Sequence, residues 1–102
     1  MNLRRYYIFQ LPHNNPKLFR HFKEDETIDL GDYTPVWTDE CGYQNDLELC
    51  EKLFEQFNIN HPKNFAGHSM SVSDIVMIKD GKDCKFYYCD AVGFKKIEKI
   101  TK

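Results

Sequence analysis

Residues 67–94, GHSMSVSDIVMIKDGKDCKFYYCDAVGF, constrain the fold more than any other part of the chain. Asp80-Gly81 is a strong hairpin signal, because a tight turn between twisted strands needs the positive φ that glycine supplies. It lies between two runs rich in β-branched and aromatic residues, DIVMIK (74–79) and KFYYC (85–89). In the first run Ile75 and Met77 face one way, and Val76 and Ile78 the other. A strand apolar on both faces needs cover on both, so this one is expected in the middle of a sheet.

The remaining segments supply its neighbours. Residues 5–11 (RYYIFQL) read as a second strand, again apolar on both faces and ended by Pro12. Asn15-Pro16 has the form of an N-cap followed by a first-position proline. It predicts a short helix over 16–22 with Phe19 and Phe22 on one side. Residues 32–38 (DYTPVWT) are extended, and Pro35, which cannot donate to a ladder, places them at a sheet edge with Trp37 as a core anchor. Asn45 with Glu48 resembles a capping box. Leu47, Cys50, Leu53, Phe54 and Phe57 follow at helical spacing, opposite Glu48, Glu51, Lys52 and Glu55. That helix should span about 46–57 and stop before Pro62. Phe65 should pin the next loop to the core, and residues 92–97 should form a last extended piece. The fold expected is α+β: a small, mostly antiparallel sheet of three to five strands, with one main helix and one short helix packed on it.

At 102 residues the chain is read as a single domain, 1–102, and 41% hydrophobic content argues against disorder. No run approaches the roughly 18 apolar residues of a membrane span, and a cytoplasmic location is expected. Cys41, Cys50, Cys84 and Cys89 fit no zinc spacing and read as free thiols, with metal binding beside His61 or His68 as the lesser alternative. No cofactor is expected.

Charge is segregated along the chain. Residues 1–23 hold five bases and no acid; residues 24–51 hold ten acids and no base; the remainder is mildly basic. Such blocks usually mark solvated or interacting surface. A contiguous acidic face would steer the chain toward proteins with basic grooves. Its carriers would be Glu24, Asp25, Glu26, Asp29, Asp39 and Glu40, with Tyr33, Trp37 or Tyr43 as aromatic anchors. The alternative is that folding scatters these acids and the flanking bases neutralise them. Direct nucleic-acid binding is disfavoured by the net charge of −2.

Two loops hold the residues of most chemical interest. His68, Ser69, Ser71, Ser73 and Asp74 invite a hydrolase reading, but triads assemble from distant parts of a chain and no G-x-S-x-G elbow is present. Ser and Asp also satisfy local backbone groups in turns, and Gly67 permits a close approach. A structural role is the first reading of this loop, a ligand or partner surface the second and catalysis the third. Asp90, Gly93 and Phe94 form the second loop, where an acid and a glycine turn precede an aromatic core plug.

The pattern over residues 54–97, FNINHPKNFAGHSMSVSDIVMI, the DGK turn, FYYCDAVGF and KKI, resembles the YodL-like domain, a small bacterial family of Firmicutes, their phages and conjugative elements. YYIFQL near the N-terminus fits it loosely. The resemblance brings no catalytic chemistry with it, so it implies a binding protein from a mobile element. The function expected is a non-enzymatic inhibitor or adaptor acting in counter-defence, of anti-CRISPR or antirestriction type, whose acidic face blocks nucleic-acid loading by its partner. The alternatives are a modulator of a host cytoskeletal protein and a small-ligand binder or enzyme using residues 68–74.

Overall fold

The structure is a computed structural model that describes residues 3–42, 45–59, 62–65 and 67–102. In chain order the strands are β1 (Arg4–Gln10), β2 (Ile28–Asp29), β3 (Thr34–Cys41), β4 (Ile75–Asp80), β5 (Asp83–Asp90), β6 (Gly93–Lys96) and β7 (Ile100–Thr101). One helix, α1 (Asp46–Ile59), and one 3-10 turn (Leu30–Asp32) join them. Five strands form an antiparallel sheet in the order β3-β1-β4-β5-β6, and β2 and β7 pair in parallel as a separate ribbon. This is the α+β architecture expected.

The apolar pattern explains the order. β4 is the middle strand, with Val76 and Ile78 packed toward α1 beside Tyr6, Ile8 and Tyr87. Ile75 and Met77 turn to the opposite face, where Phe86, Tyr88, Ile28 and Ile97 build a second apolar layer. Gly81 opens the two-residue β4–β5 turn with φ 65°, a conformation strained for an L side chain. β1 lies between β3 and β4. β3 is an edge strand, and its register against β1 jumps from Trp37 to Pro35, so Val36 is an extra residue at a bulge. The missing proline donor therefore falls where the ladder is already interrupted.

Asn45 caps α1, its Oδ1 accepting from the Glu48 amide at 3.1 Å. The buried stripe is Leu49, Cys50, Leu53 and Phe57. Leu47 and Phe54, expected in that stripe, are instead 48% and 39% exposed, because the helix meets the sheet about a quarter-turn from the line they share. Phe57 anchors the contact, edge-on to Phe65 at 4.7 Å and to Trp37 at 5.8 Å. The Trp37 indole donates to the Tyr6 hydroxyl at 3.2 Å.

The short helix expected over 16–22 does not form. Asn15 does receive the Lys17 amide at 2.8 Å, and tight turns close at Leu18 and Arg20. Phe19, however, takes φ 69°, and a residue in that region cannot continue a right-handed helix. Phe19 is left exposed and only Phe22 reaches the core, where its ring meets Tyr88 at 5.2 Å. The short helical element is the 3-10 turn, capped by Asp29 Oδ1 on the Gly31 amide at 2.9 Å. Residues 12–27 thus form an irregular strap leading onto the second face of the sheet.

Candidate functional site

The two loops singled out by their composition meet each other. Ser73 donates its amide to the Cys89 carbonyl at 2.9 Å, and the Cys89 amide donates to the Asp74 carbonyl at 2.8 Å. Asp74 is fully buried at the head of β4. Its Oδ2 accepts from the Ser71 amide and from Gln10 Nε2, both at 3.0 Å. Gln10, itself 2% exposed at the end of β1, also binds both backbone groups of His68: Nε2 donates to the carbonyl at 2.8 Å and Oε1 accepts from the amide at 3.1 Å. Gly67 is needed beside it, since a Cβ there would stand 2.3 Å from Gln10 Oε1 and 2.9 Å from the Phe65 ring.

The same residues fasten the strap. Ser73, at φ 88°, accepts the Phe19 amide on Oγ at 3.0 Å and the Tyr33 hydroxyl on its carbonyl at 2.9 Å. Tyr88 donates its hydroxyl to the Arg20 carbonyl. Asp90 Oδ1 accepts from His21 Nδ1 at 3.0 Å, from the Phe22 amide at 3.4 Å and from the Ala91 amide at 2.9 Å. Two non-glycine residues at positive φ, Phe19 and Ser73, are thus hydrogen-bonded to each other across the clasp. Such strain persists only where surrounding contacts over-determine it. Gly93 follows at φ 83°, closing the β5–β6 turn, and Phe94 packs against the α1 side of the core.

Burial sets the electrostatics. Desolvation raises the Asp74 carboxyl from 3.8 to about 7, against the opposing pull of the Ser71 amide, Gln10 and His68. Burial also pushes the Tyr88 hydroxyl and the Cys89 thiol up to about 12. Asp90 goes the other way: burial raises it, but the Ala91 amide, His21 and the Phe22 amide together hold it below 3.8. His68 Nδ1 lies 2.8 Å from the Ser69 carbonyl, while its Nε2 and Ser71 Oγ find no hydrogen-bond partner among the described residues. Among the described residues, the side chains of His68, Ser71 and Asp74 therefore share no hydrogen bond that could relay a proton. Ser69 is exposed at the loop's surface. A cleft of about 140 Å³ opens above Gln10, walled by Leu11, Pro12, His13, Thr34, Val36, Gly67 and His68.

The YodL-like domain matches residues 5–99, nearly the whole chain and both loops of the clasp. The chain belongs to that family. No curated protein and no solved structure matched it. The clasp follows from this chain's own hydrogen bonds. Gln10, Phe19, His21 and Tyr33 were missed as members of it, and an isolated glutamine at a strand end gives no sequence signal of its burial.

In this YodL-like domain the acids of residues 24–51 divide among the strap, the β2 and 3-10 segment that holds Asp29 and Asp32, β3 and α1. Glu24 and Asp25 are exposed on the strap, at the two corner positions of a turn closed by the Glu26 amide on the Lys23 carbonyl at 3.1 Å. Asp39 and Glu40 lie toward the far end of β3, five residues or roughly 16 Å along the strand from Thr34. Asp46, Glu48 and Glu51 belong to α1. Several are already paired: Glu26 with Arg20, Asp32 with Lys17, Glu40 with Arg5, and Asp46 with Arg4 at 2.6 Å. Asp29 and Asp39 each accept a neighbouring backbone amide. Tyr33 is committed to Ser73 and Trp37 to the core, whereas Tyr43 and His61 lie outside the described residues. The four cysteines are not joined by disulfides; Cys50 and Cys89 are buried, Cys41 and Cys84 half-buried. No described helix is long and apolar enough to cross a membrane.

Proposed function

We propose that this YodL-like domain is a non-enzymatic inhibitor or adaptor from a phage or mobile element. It acts in the bacterial cytoplasm on a host protein with a basic nucleic-acid-binding groove. Counter-defence against a CRISPR or restriction effector is its foremost use. The observation that supports this reading is the strap turn. Glu24 and Asp25 occupy its outermost positions, exposed, with no ion pair among the described residues, on a segment clasped to the sheet at Ser73 and Asp90. A fixed, unneutralised pair of carboxylates is suited to entering a groove shaped for phosphates and excluding the nucleic acid. Asp39, exposed on edge strand β3, would extend the contact.

The reading is tested by pull-down and gel shift against a type II CRISPR effector with and without guide RNA. Binding that competes with guide or target loading is expected. It should weaken as salt rises and fall about tenfold or more in a Glu24→Lys/Asp25→Lys variant. Binding that ignores the charge reversal removes the acidic mechanism. Absence of binding to every effector state removes counter-defence against that class.

A further inference from the structure

The second edge of the sheet is built for a different contact. The Ile97 amide donates to the Phe86 carbonyl at 2.8 Å, so Ile97, and by alternation Lys95 and Gly93, direct their backbone groups toward β5. Phe94 and Lys96 must then direct theirs outward, and among the described residues β6 has no further neighbour in the sheet. Above this open ladder, on the α1 side, the Phe94 ring stands edge-on to Phe54 at 6.4 Å. Phe54 and Leu47, the two residues displaced from the core stripe, lie within about 20° of each other around the helix axis and are 39% and 48% exposed. Lys95 and Lys96 are exposed on opposite faces of the strand. Lys96 stands 4.0 Å from the exposed Glu98 carboxylate, a loose surface pair that a partner carboxylate can exchange with, and no ion pair to Lys95 is seen among the described residues.

We propose that the β6 edge is a docking site for an extended, acidic segment of a partner protein, which adds a sixth strand to the sheet. Its main chain would pair with Phe94 and Lys96, an apolar side chain opposite Phe94 would rest on Phe54, and flanking carboxylates would meet Lys95 and Lys96. Lysines on an edge strand discourage pairing with neutral or basic strands, a second β6 included, and the same lysines select a strand of opposite charge. The other edge offers no equivalent, since Pro35 and the bulge at Val36 interrupt β3. The site does not rest on the acidic strap, whose nearest fastening is at Asp90, the β5 partner of Gly93.

The probe is an acetylated, amidated peptide with one phenylalanine flanked by valines and glutamates, compared with its lysine-for-glutamate counterpart. Titration followed by amide NMR should show the acidic peptide binding at millimolar concentration or below, with slowed exchange at the Phe94 and Lys96 amides. A Lys95→Glu/Lys96→Glu variant, altered only at exposed positions, should lose about tenfold in affinity and prefer the lysine peptide. Phe54→Ala should weaken binding without moving the melting temperature by more than a few degrees. Equal binding of the two peptides, no binding of the acidic one, or protection confined to other amides overturns the proposal. So does a dimer in which a second copy already covers β6.

Discussion

Asp74 is the residue whose chemistry most depends on its surroundings. Two donors occupy Oδ2, and buried Oδ1 finds no partner among the described residues, so the protonated acid suits the site better than the carboxylate. The groups facing it are His68, Tyr33 and Cys89, and only His68 can carry positive charge. With the folded value raised from 3.8 to about 7, the native state binds this proton more tightly than the unfolded chain does. The contribution of Asp74 to stability is then fully present below about pH 4, declines as pH rises toward 7 and is level above it. Over that window the loss should be on the order of a few kcal/mol. Asp74→Asn copies the protonated acid, so urea titrations at successive pH values should show a flatter profile between pH 5 and 8 for the variant, which should be the more stable protein above pH 7. A steeper profile in the variant would refute the assignment. Gly67→Ala tests the adjoining close approach. The new methyl would displace the Gln10 amide or the Phe65 ring, and unfolding titrations should register a loss of about 1–3 kcal/mol.

Among the elements, those defined by strong local signals were legible in the sequence. The double-faced apolar pattern of residues 74–79 put β4 in the middle of the sheet, Pro35 put β3 at its edge, and Asn45 marked the start of α1. The rotation of α1 was legible only to within about a quarter-turn. Leu47 and Leu49 are both leucines, and only the sheet decides which one faces it. The strap was not legible. Asn15-Pro16 does start a turn, but the Phe19 amide donates to Ser73 Oγ, a tertiary bond whose pull no local propensity records. The serine and aspartate cluster was visible, whereas its recipients on the strap were not, because Ser73 and Phe19 are far apart in sequence. Ser73→Ala and Tyr33→Phe should each loosen the strap while leaving the five-stranded sheet intact. Hydrogen exchange should accelerate over residues 17–22 ahead of β1, β4 and β5, with a global loss of about 1 kcal/mol. Uniform acceleration across the sheet would show that strap and sheet unfold as one unit.

At the scale of the whole molecule, the sheet divides the described core into two apolar layers, one on each of its faces. One holds Tyr6, Ile8, Leu53, Phe57 and Ile78 under α1; the other holds Ile28, Ile75, Phe86, Tyr88 and Ile97 under the strap and the β2–β7 ribbon. Cover for the second layer comes from segments remote in sequence, as where Ile28 pairs with Ile100, so it is complete only once most of the chain is in place. If the sheet is a rigid partition, packing defects on its two sides should not sense each other. Ile8→Val and Ile97→Val, one in each layer, should each cost about 0.5–1.5 kcal/mol and add within about 0.5 kcal/mol. Ile75→Val with Ile97→Val places both changes in the strap-side layer, where the two cavities can share relaxation, and the pair should depart from additivity. Equilibrium unfolding in urea of the three single and two double variants against the parent measures both cycles. Strong coupling across the sheet, with none within the layer, would mean that β4 shifts as a body and that the clasp at Asp74 reaches the packing beneath α1.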